Sequence, residues 1–332
     1  MDREPEELLF LGVIGVYQEA CNIIFSWKKI FAQITLSLIL PLSFIFLFQI
    51  QVSEVLFGKI VSDTNEISRT QEGTPQFDKL SDLLSSEWAS FCLFELAYFT
   101  FLLIFSLLST SAVVFTVASI YTARDVTFKK VMSVVPKVWK RLMVTFLCTF
   151  VAFFTYNVLA MLVGTIWALT IRVKDGGVAI LVVILFVYFI GLLYLTVIWQ
   201  LASVVSVLED SYGILAMMKS KELMKGKMGL AIFIFLTLNL SFFLVKFLFK
   251  TLVVHGGKLG YVDRTAYGIV CFLLISKLFL FSLVIQTVLY FVCKSYHHEN
   301  IDKSALSDHL EVFLGEYAPL KTKDVQVEQC HV

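Results

Sequence analysis

Six long apolar runs, separated by shorter polar stretches, divide the chain: Ile30 to Ile50, Phe91 to Tyr121, Val144 to Ile171, Val178 to Val207, Met228 to Phe249 and Tyr267 to Cys293. A helix rising ~1.5 Å per residue needs roughly 20 such residues to cross a ~30 Å hydrocarbon core. Runs of this length exceed any sheet-core strand, and barrel strands would be ~10 residues of strict alternation. The pattern therefore predicts an all-α, polytopic transmembrane helical bundle of six spans over residues 30–293. Ahead of it, Glu6 to Trp27 carries Leu9, Val13, Val16, Ala20, Ile23 and Trp27 at helical spacing with Glu7, Gln18, Glu19 and Asn22 between them. Residues 1–29 are thus expected to form a cytoplasmic amphipathic segment along the inner leaflet. Pro41 predicts a kink in the first span, because its ring removes a backbone donor.

The charged residues orient the spans. Seventeen of the 27 basic residues fall on one side of the alternation, eight on the other, and Lys246 and Lys277 lie within spans. Positive charge is retained on the cytoplasmic side of short loops, so both termini are expected in the cytoplasm, with residues 294–332 as a cytoplasmic tail. Residues 51–90 become an outer loop, acidic and polar around Thr70 to Pro75, expected to be solvated and partly disordered. Its acids lack the D-x-[DN]-x-[DN]-G spacing of a calcium loop, so no metal is assigned. Overall composition agrees with a lipid-solvated chain, at 58% hydrophobic residues and 32 Phe in 332 residues. No basic tract is interleaved with aromatics in a soluble segment, which argues against a nucleic-acid partner. The six cysteines are scattered and imply no disulfide framework. Cys293, beside Lys294 at a span end, has the position of a palmitoylation site.

A weak internal repeat is visible at an offset of about 86 residues, the size of one two-span unit. The second span, a basic elbow and the third span recur as the fourth span, a second elbow and the fifth, in parallel orientation. The elbows read VTFKKVMSVVPKVWKRLM over Val126 to Met143 and YGILAMMKSKELMKGKMG over Tyr212 to Gly229. Both carry apolar residues at helical spacing with lysines opposite, the pattern of amphipathic helices at headgroup level. Lys129, Lys130, Lys137, Lys140, Arg141, Lys219, Lys221, Lys225 and Lys227 are the candidate contacts to anionic lipid. Pro136 is expected to kink or shorten the first elbow.

Charged and amide groups inside spans are the other candidates, since each ionised group costs about 2.5–3.5 kcal/mol by insertion scales. Lys277 is the deepest, and Glu95, Asn157 and Asn239 complete a candidate intramembrane polar site, with Glu95 a plausible ion-pair partner of Lys277. Gln200 and Gln286 read as interhelical hydrogen-bond formers. His297, His298 and His309 follow the last span, but adjacent histidines point to different faces, so no metal site is assigned. None of the nucleophile, metalloprotease or phosphate-loop motifs is present, so no catalytic residue and no cofactor is assigned.

The segment Ala202 to Lys227, ASVVSVLEDSYGILAMMKSKELMKGK, resembles the membrane domain that accompanies some bacterial glycerophosphoryl diester phosphodiesterases. The whole chain, including Pro5 to Leu11 and the L-P-L-S-F of Leu40 to Phe44, resembles a plant family of uncharacterised six-span membrane proteins. The bacterial likeness implies a polytopic module without the phosphodiesterase activity, which resides in a separate soluble barrel. Glu209, Ser220, Gly226 and Lys227 match its recurrent positions. Membrane organisation, assembly or lipid contact is the favoured reading, with membrane lipids and other membrane proteins as partners. A small-solute or ion transporter using Lys277 is the alternative, and an intramembrane lipid-modifying enzyme a second.

Overall fold

In the computed structural model, residues 11–70, 74–122, 126–170, 177–257 and 260–297 are described; the flanks, with His298, His309 and Cys330, lie outside the described residues. The architecture is all-helical, with no strand among the described residues. Helix α1 (Val13–Ser26) is followed by α2 (Lys28–Ile34), which runs through a π-helical turn (Thr35–Ile39) into α3 (Leu40–Ile67). Then come α4 (Pro75–Tyr121), α5 (Phe128–Thr170), α6 (Gly177–Leu208), the short α7 (Ile214–Leu223), α8 (Met228–Phe249) with a π-helical end (Lys250–Val254), and α9 (Tyr261–Tyr296). Six helical segments are long and apolar enough to cross a membrane: Lys28–Ile67, Pro75–Tyr121, Phe128–Leu169, Gly177–Leu208, Met228–Val254 and Tyr261–Tyr296.

Three features differ from the sequence reading. Residues 51–90 are helical over 51–67 and 75–90, so α3 and α4 form a hairpin that extends past the apolar runs. The described helices end at Ile67 and resume at Pro75. Thr74 is the N-cap of α4, its side chain accepting from the Phe77 N–H, and Pro75 supplies the preset φ of a first helical position. Ile60 is buried in this hairpin and Phe57 meets Phe91, so apolar contacts continue outside the run. The first elbow is not a separate helix: α5 continues from Phe128 through Pro136 into the third span. Helix α1, expected along the inner leaflet, packs on α8 and α9. Tyr17 Oη lies 2.7 Å from Thr237 Oγ1, and its ring stacks on Phe281 at 5.7 Å. Phe281 lies about 20 Å along the α9 axis from Lys294, which places Tyr17 well inside the bundle. Tyr17→Phe is expected to cost about 1 kcal/mol, one hydrogen bond, seen as a small fall in melting temperature with the spans unchanged.

Packing is uneven along the bundle. The main core gathers the C-terminal parts of α4, α6 and α9, the start of α5, and α1, α2, α7 and α8 at the end where the lysine-rich connections meet, hereafter the basic end. There α4 is enclosed on all sides from Ser109 to Ser119, except that Thr110 keeps 7% of its surface. Toward the opposite end a small second cluster joins Leu47, Ile50, Val245, Phe249, Cys271 and Ile275. Beyond it Glu54 clasps Lys250 at 2.9 Å and His255 at 3.4 Å, tying α3 to the end of α8. The far halves of α5 and α6 stand away from this core, with no buried side chain from Phe150 to Leu169 or from Val178 to Ile190 and only a half-covered stripe (Phe153, Tyr156, Leu181, Ile184, Tyr188) between apolar residues that are exposed. A helix apolar on every face is one that lipid can solvate. These two halves hold each other through the stacked rings of Tyr156 and Tyr188 at 5.7 Å.

Candidate functional site

Helix α7 is the element that shapes the basic end. The chain leaves α6 at Leu208, turns at Gly213 and folds back so that α7 lies against α6, with Ser220 Oγ donating to the Ile198 carbonyl at 2.9 Å. Ile198 is about 15 Å along the axis from the end of α6. Helix α7 therefore sits level with the last turns of a spanning helix instead of projecting past them. Gly213 makes the turn possible at φ 65° and ψ −132°, a conformation that side chains with a Cβ disfavour strongly. Its N–H donates to Thr145 Oγ1 at 2.8 Å, and Thr145 in turn lies 2.7 Å from Ser206 Oγ, joining α5, α6 and the turn.

One residue beyond α6, Glu209 holds the assembly together. Tyr290 Oη donates to its Oε1 at 2.6 Å, Lys294 Nζ reaches the same oxygen at 3.1 Å, and Lys219 Nζ contacts Oε2 at 2.7 Å as an ion pair. Three helices, α6, α7 and α9, thus meet at one carboxylate whose side chain is only 11% exposed. Burial by itself would push the Glu209 carboxyl up, but the Lys219 and Tyr290 contacts and the Lys294 charge together outweigh it and hold it below the usual carboxylate range. Around this centre Arg141 pairs with Asp210 at 3.0 Å, His297 Nε2 lies 3.0 Å from the Leu223 carbonyl, and Lys227 sits over the Tyr296 ring at 5.2 Å. Gly226, at φ 88°, lets that ring lie on the chain: a Cβ there would come within 2.4 Å of Tyr296.

The outer surface of α7 is mixed. Ala216, Ser220 and Leu223 face the bundle, while Ile214 and Leu215, each 65% exposed, and Met218 point outward. Lys221 and Lys225 are exposed beside them, and Lys129, Lys137 and Lys140 are exposed on α5. Lys130, Arg141, Lys219 and Lys227 are partly covered, the last three by the contacts just described.

The intramembrane candidates are not brought together. Glu95 on α4 accepts from Gln49 Nε2 at 3.2 Å, whereas Lys277 on α9 is exposed and forms no ion pair among the described residues. Asn157 bonds within α5 and accepts from Tyr188 Oη at 2.8 Å, and Asn239 donates to the Phe235 carbonyl of its own helix. Cys293 is fully buried, so the thiol proposed for acylation is not accessible in this fold. Gln200 and Gln286 do meet: Gln286 Nε2 donates to the Gln200 carbonyl and, at 2.6 Å, to Ser203 Oγ. They border a cavity of about 270 Å³ between α4, α5, α6, α8 and α9. Sequence spacing gave no sign of it, nor of Tyr290 and Lys294 as partners of Glu209.

No curated protein and no solved structure matches the chain. A family model described as a domain of unknown function (DUF8558) matches residues 1–330, and the chain belongs to that family.

Proposed function

We propose that this member of a family of unknown function is a non-enzymatic, multi-pass membrane protein that contacts anionic lipid through its basic end, which faces the cytoplasm. The observation that carries this reading is α7: a ten-residue helix laid against the end of a spanning helix, with Ile214, Leu215 and Met218 outward and Lys221 and Lys225 beside them. An apolar face at that depth meets acyl chains, and lysines at its edge meet phosphate, each basic residue near an anionic surface being worth ~1 kcal/mol. The exposed Lys129, Lys137 and Lys140 extend the same surface along α5. Phe25 and Trp27, exposed next to Lys28 and Lys29, supply the aromatic and basic pair common at a lipid–water boundary.

The test is lipid retention. Replacing Lys129, Lys140, Lys221 and Lys225 with Gln is expected to reduce co-purifying phosphatidylserine and phosphatidylinositol by at least an order of magnitude, each lysine being worth roughly 1 kcal/mol, or about fivefold, with the melting temperature nearly unchanged. Unaltered anionic-lipid content in the folded variant, measured by mass spectrometry, would remove the proposal. The transporter alternative, built on Lys277, predicts an aqueous environment there; a Lys277→Cys thiol that polar reagents modify rapidly would favour it instead.

A further inference from the structure

The cavity beside Gln200 and Gln286 is separate from the basic surface and carries a second, independent reading. It lies between α4, α5, α6, α8 and α9, and Gln286 is about 12 Å along the helix axis from Lys294, inside the span. Its walls are aromatic: Phe99, Phe146, Trp199, Phe242 and Phe279 all border it. Polar groups converge on the same space. Ser106, Ser203 and Ser282 and the amides of Gln200 and Gln286 line it, together with Thr110 and Thr145. Of these, the Ser106 and Ser282 hydroxyls and the Gln200 amide have no hydrogen-bond partner among the described residues. Polar groups at this depth have no bulk water to bond, so an unpaired set facing a void calls for an occupant that supplies the partners.

The lining chooses the class of occupant. No Asp, Glu, Lys, Arg or His borders the cavity, so a charged ligand would be stripped of water without a counter-charge. Five aromatic side chains would in turn be poorly matched by a fully hydrated solute. At about 270 Å³ the space exceeds the ~30 Å³ share of a single water many times over. Phe99, which borders the cavity, is 40% exposed on the face where α4 meets α5, giving an approach from the lipid side. We propose that this cavity binds an uncharged lipid carrying a hydroxyl group, with Gln200, Ser106 and Ser282 holding the hydroxyl and the aromatic wall holding the adjoining hydrocarbon. The shared chemistry fits both a diacylglycerol and a sterol.

The experiment uses the full chain in phosphatidylcholine nanodiscs with three diazirine-bearing probes: a diacylglycerol, a sterol and a phosphatidylserine. At least one neutral probe is expected to crosslink to peptides containing Trp199 or Phe279, and which of the two does so identifies the source of the hydroxyl. Gln200→Leu should weaken that crosslink roughly fivefold, the scale of one lost neutral hydrogen bond, and Ser282→Phe should abolish it by filling the space. Ser282→Ala, which adds no bulk, and competition by unlabelled neutral lipid on the unaltered chain give the same answer if the Phe variant fails to fold. Neutralising the exposed lysines should leave the neutral crosslink intact, so this proposal and the anionic-lipid reading fail separately. Crosslinks confined to the outer faces of the helices and indifferent to these substitutions would overturn it. So would preferential labelling by phosphatidylserine, or rapid modification of Ser282→Cys by membrane-impermeant thiol reagents, which would mark a water-filled solute path.

Discussion

Glu209→Gln is expected to lower the melting temperature of the purified protein by roughly 5 °C and to remove much of its loss of stability in acid. The side chain keeps its shape, so the change isolates the charge. Without it, Lys219 and Lys294 face each other across a nearly buried amide and Tyr290 loses a charged acceptor. Hydrogen bonds to a charged group are worth about 1.5–3 kcal/mol, and fully buried pairs reach about 3–5 kcal/mol when broken. Lys219 keeps 35% of its side-chain surface in contact with solvent, so the lower range applies. Its pH dependence follows from the sign of the shift. Glu209 is depressed in the folded state, so its stabilisation is complete above the ordinary carboxylate value of 4.5 and is lost as pH falls through the lower folded value. The gap between wild type and Glu209→Gln should therefore be widest near neutrality and close in acid. A gap independent of pH would mean that the carboxylate charge is not what holds α7 in place. The buried thiols of Cys271 and Cys293 supply the readout, since both become reactive only when the bundle opens.

How much of this was legible in the sequence depends on the range of the interaction. The six spans could be read because each is set by its own run of apolar residues against a fixed bilayer thickness. Residues 51–90 misled because acids on a helix face dilute the apolar pattern; Ile60 and Phe57 still pack, but two helices paired as a hairpin need only one apolar side each. Pro136 does not shorten the first elbow, which runs on as one helix from Phe128 to Thr170, since a proline costs one backbone bond and a local clash that a long helix can absorb. The breaks that matter are at Gly213 and Gly226, where positive φ turns the chain. That difference also limits the internal repeat: the first elbow is the start of α5, and the second is a separate short helix between two glycine turns. Resemblance singled out Glu209, Ser220, Gly226 and Lys227, and the fold gives each a contact at the basic end. It could not supply Tyr290 and Lys294, which lie 81 and 85 residues from Glu209 and meet it only when α9 packs on α6. The cavity was illegible for the same reason, because five helices border it.

Gly213→Ala should have the other large effect, and it separates the position of α7 from its charge. At φ 65° and ψ −132° a Cβ is strained by the backbone itself, at about 1–3 kcal/mol for such conformations. The added methyl would also stand 3.3 Å from Cys148 Sγ and 3.4 Å from Val144, so neighbours on α5 must give way. If the turn relaxes instead, the Gly213 N–H leaves Thr145, whose hydroxyl also bonds Ser206. Either route lifts α7 from the groove between α5 and α6, where Ser220 is seated on the Ile198 carbonyl. The expected result is a fall of a few degrees in melting temperature, roughly 1.5 °C for each kcal/mol in a chain of this length, together with reduced anionic-lipid retention although every lysine is still present. Neutralising Lys221 and Lys225 should do the reverse, reducing retention while stability holds. Two variants that lose lipid by different routes, one through geometry and one through charge, would show that α7 works as a positioned amphipathic helix and not as a loose basic tether. Full lipid retention in a destabilised Gly213→Ala protein would place the lipid contact elsewhere on the basic end, on the lysines of α5.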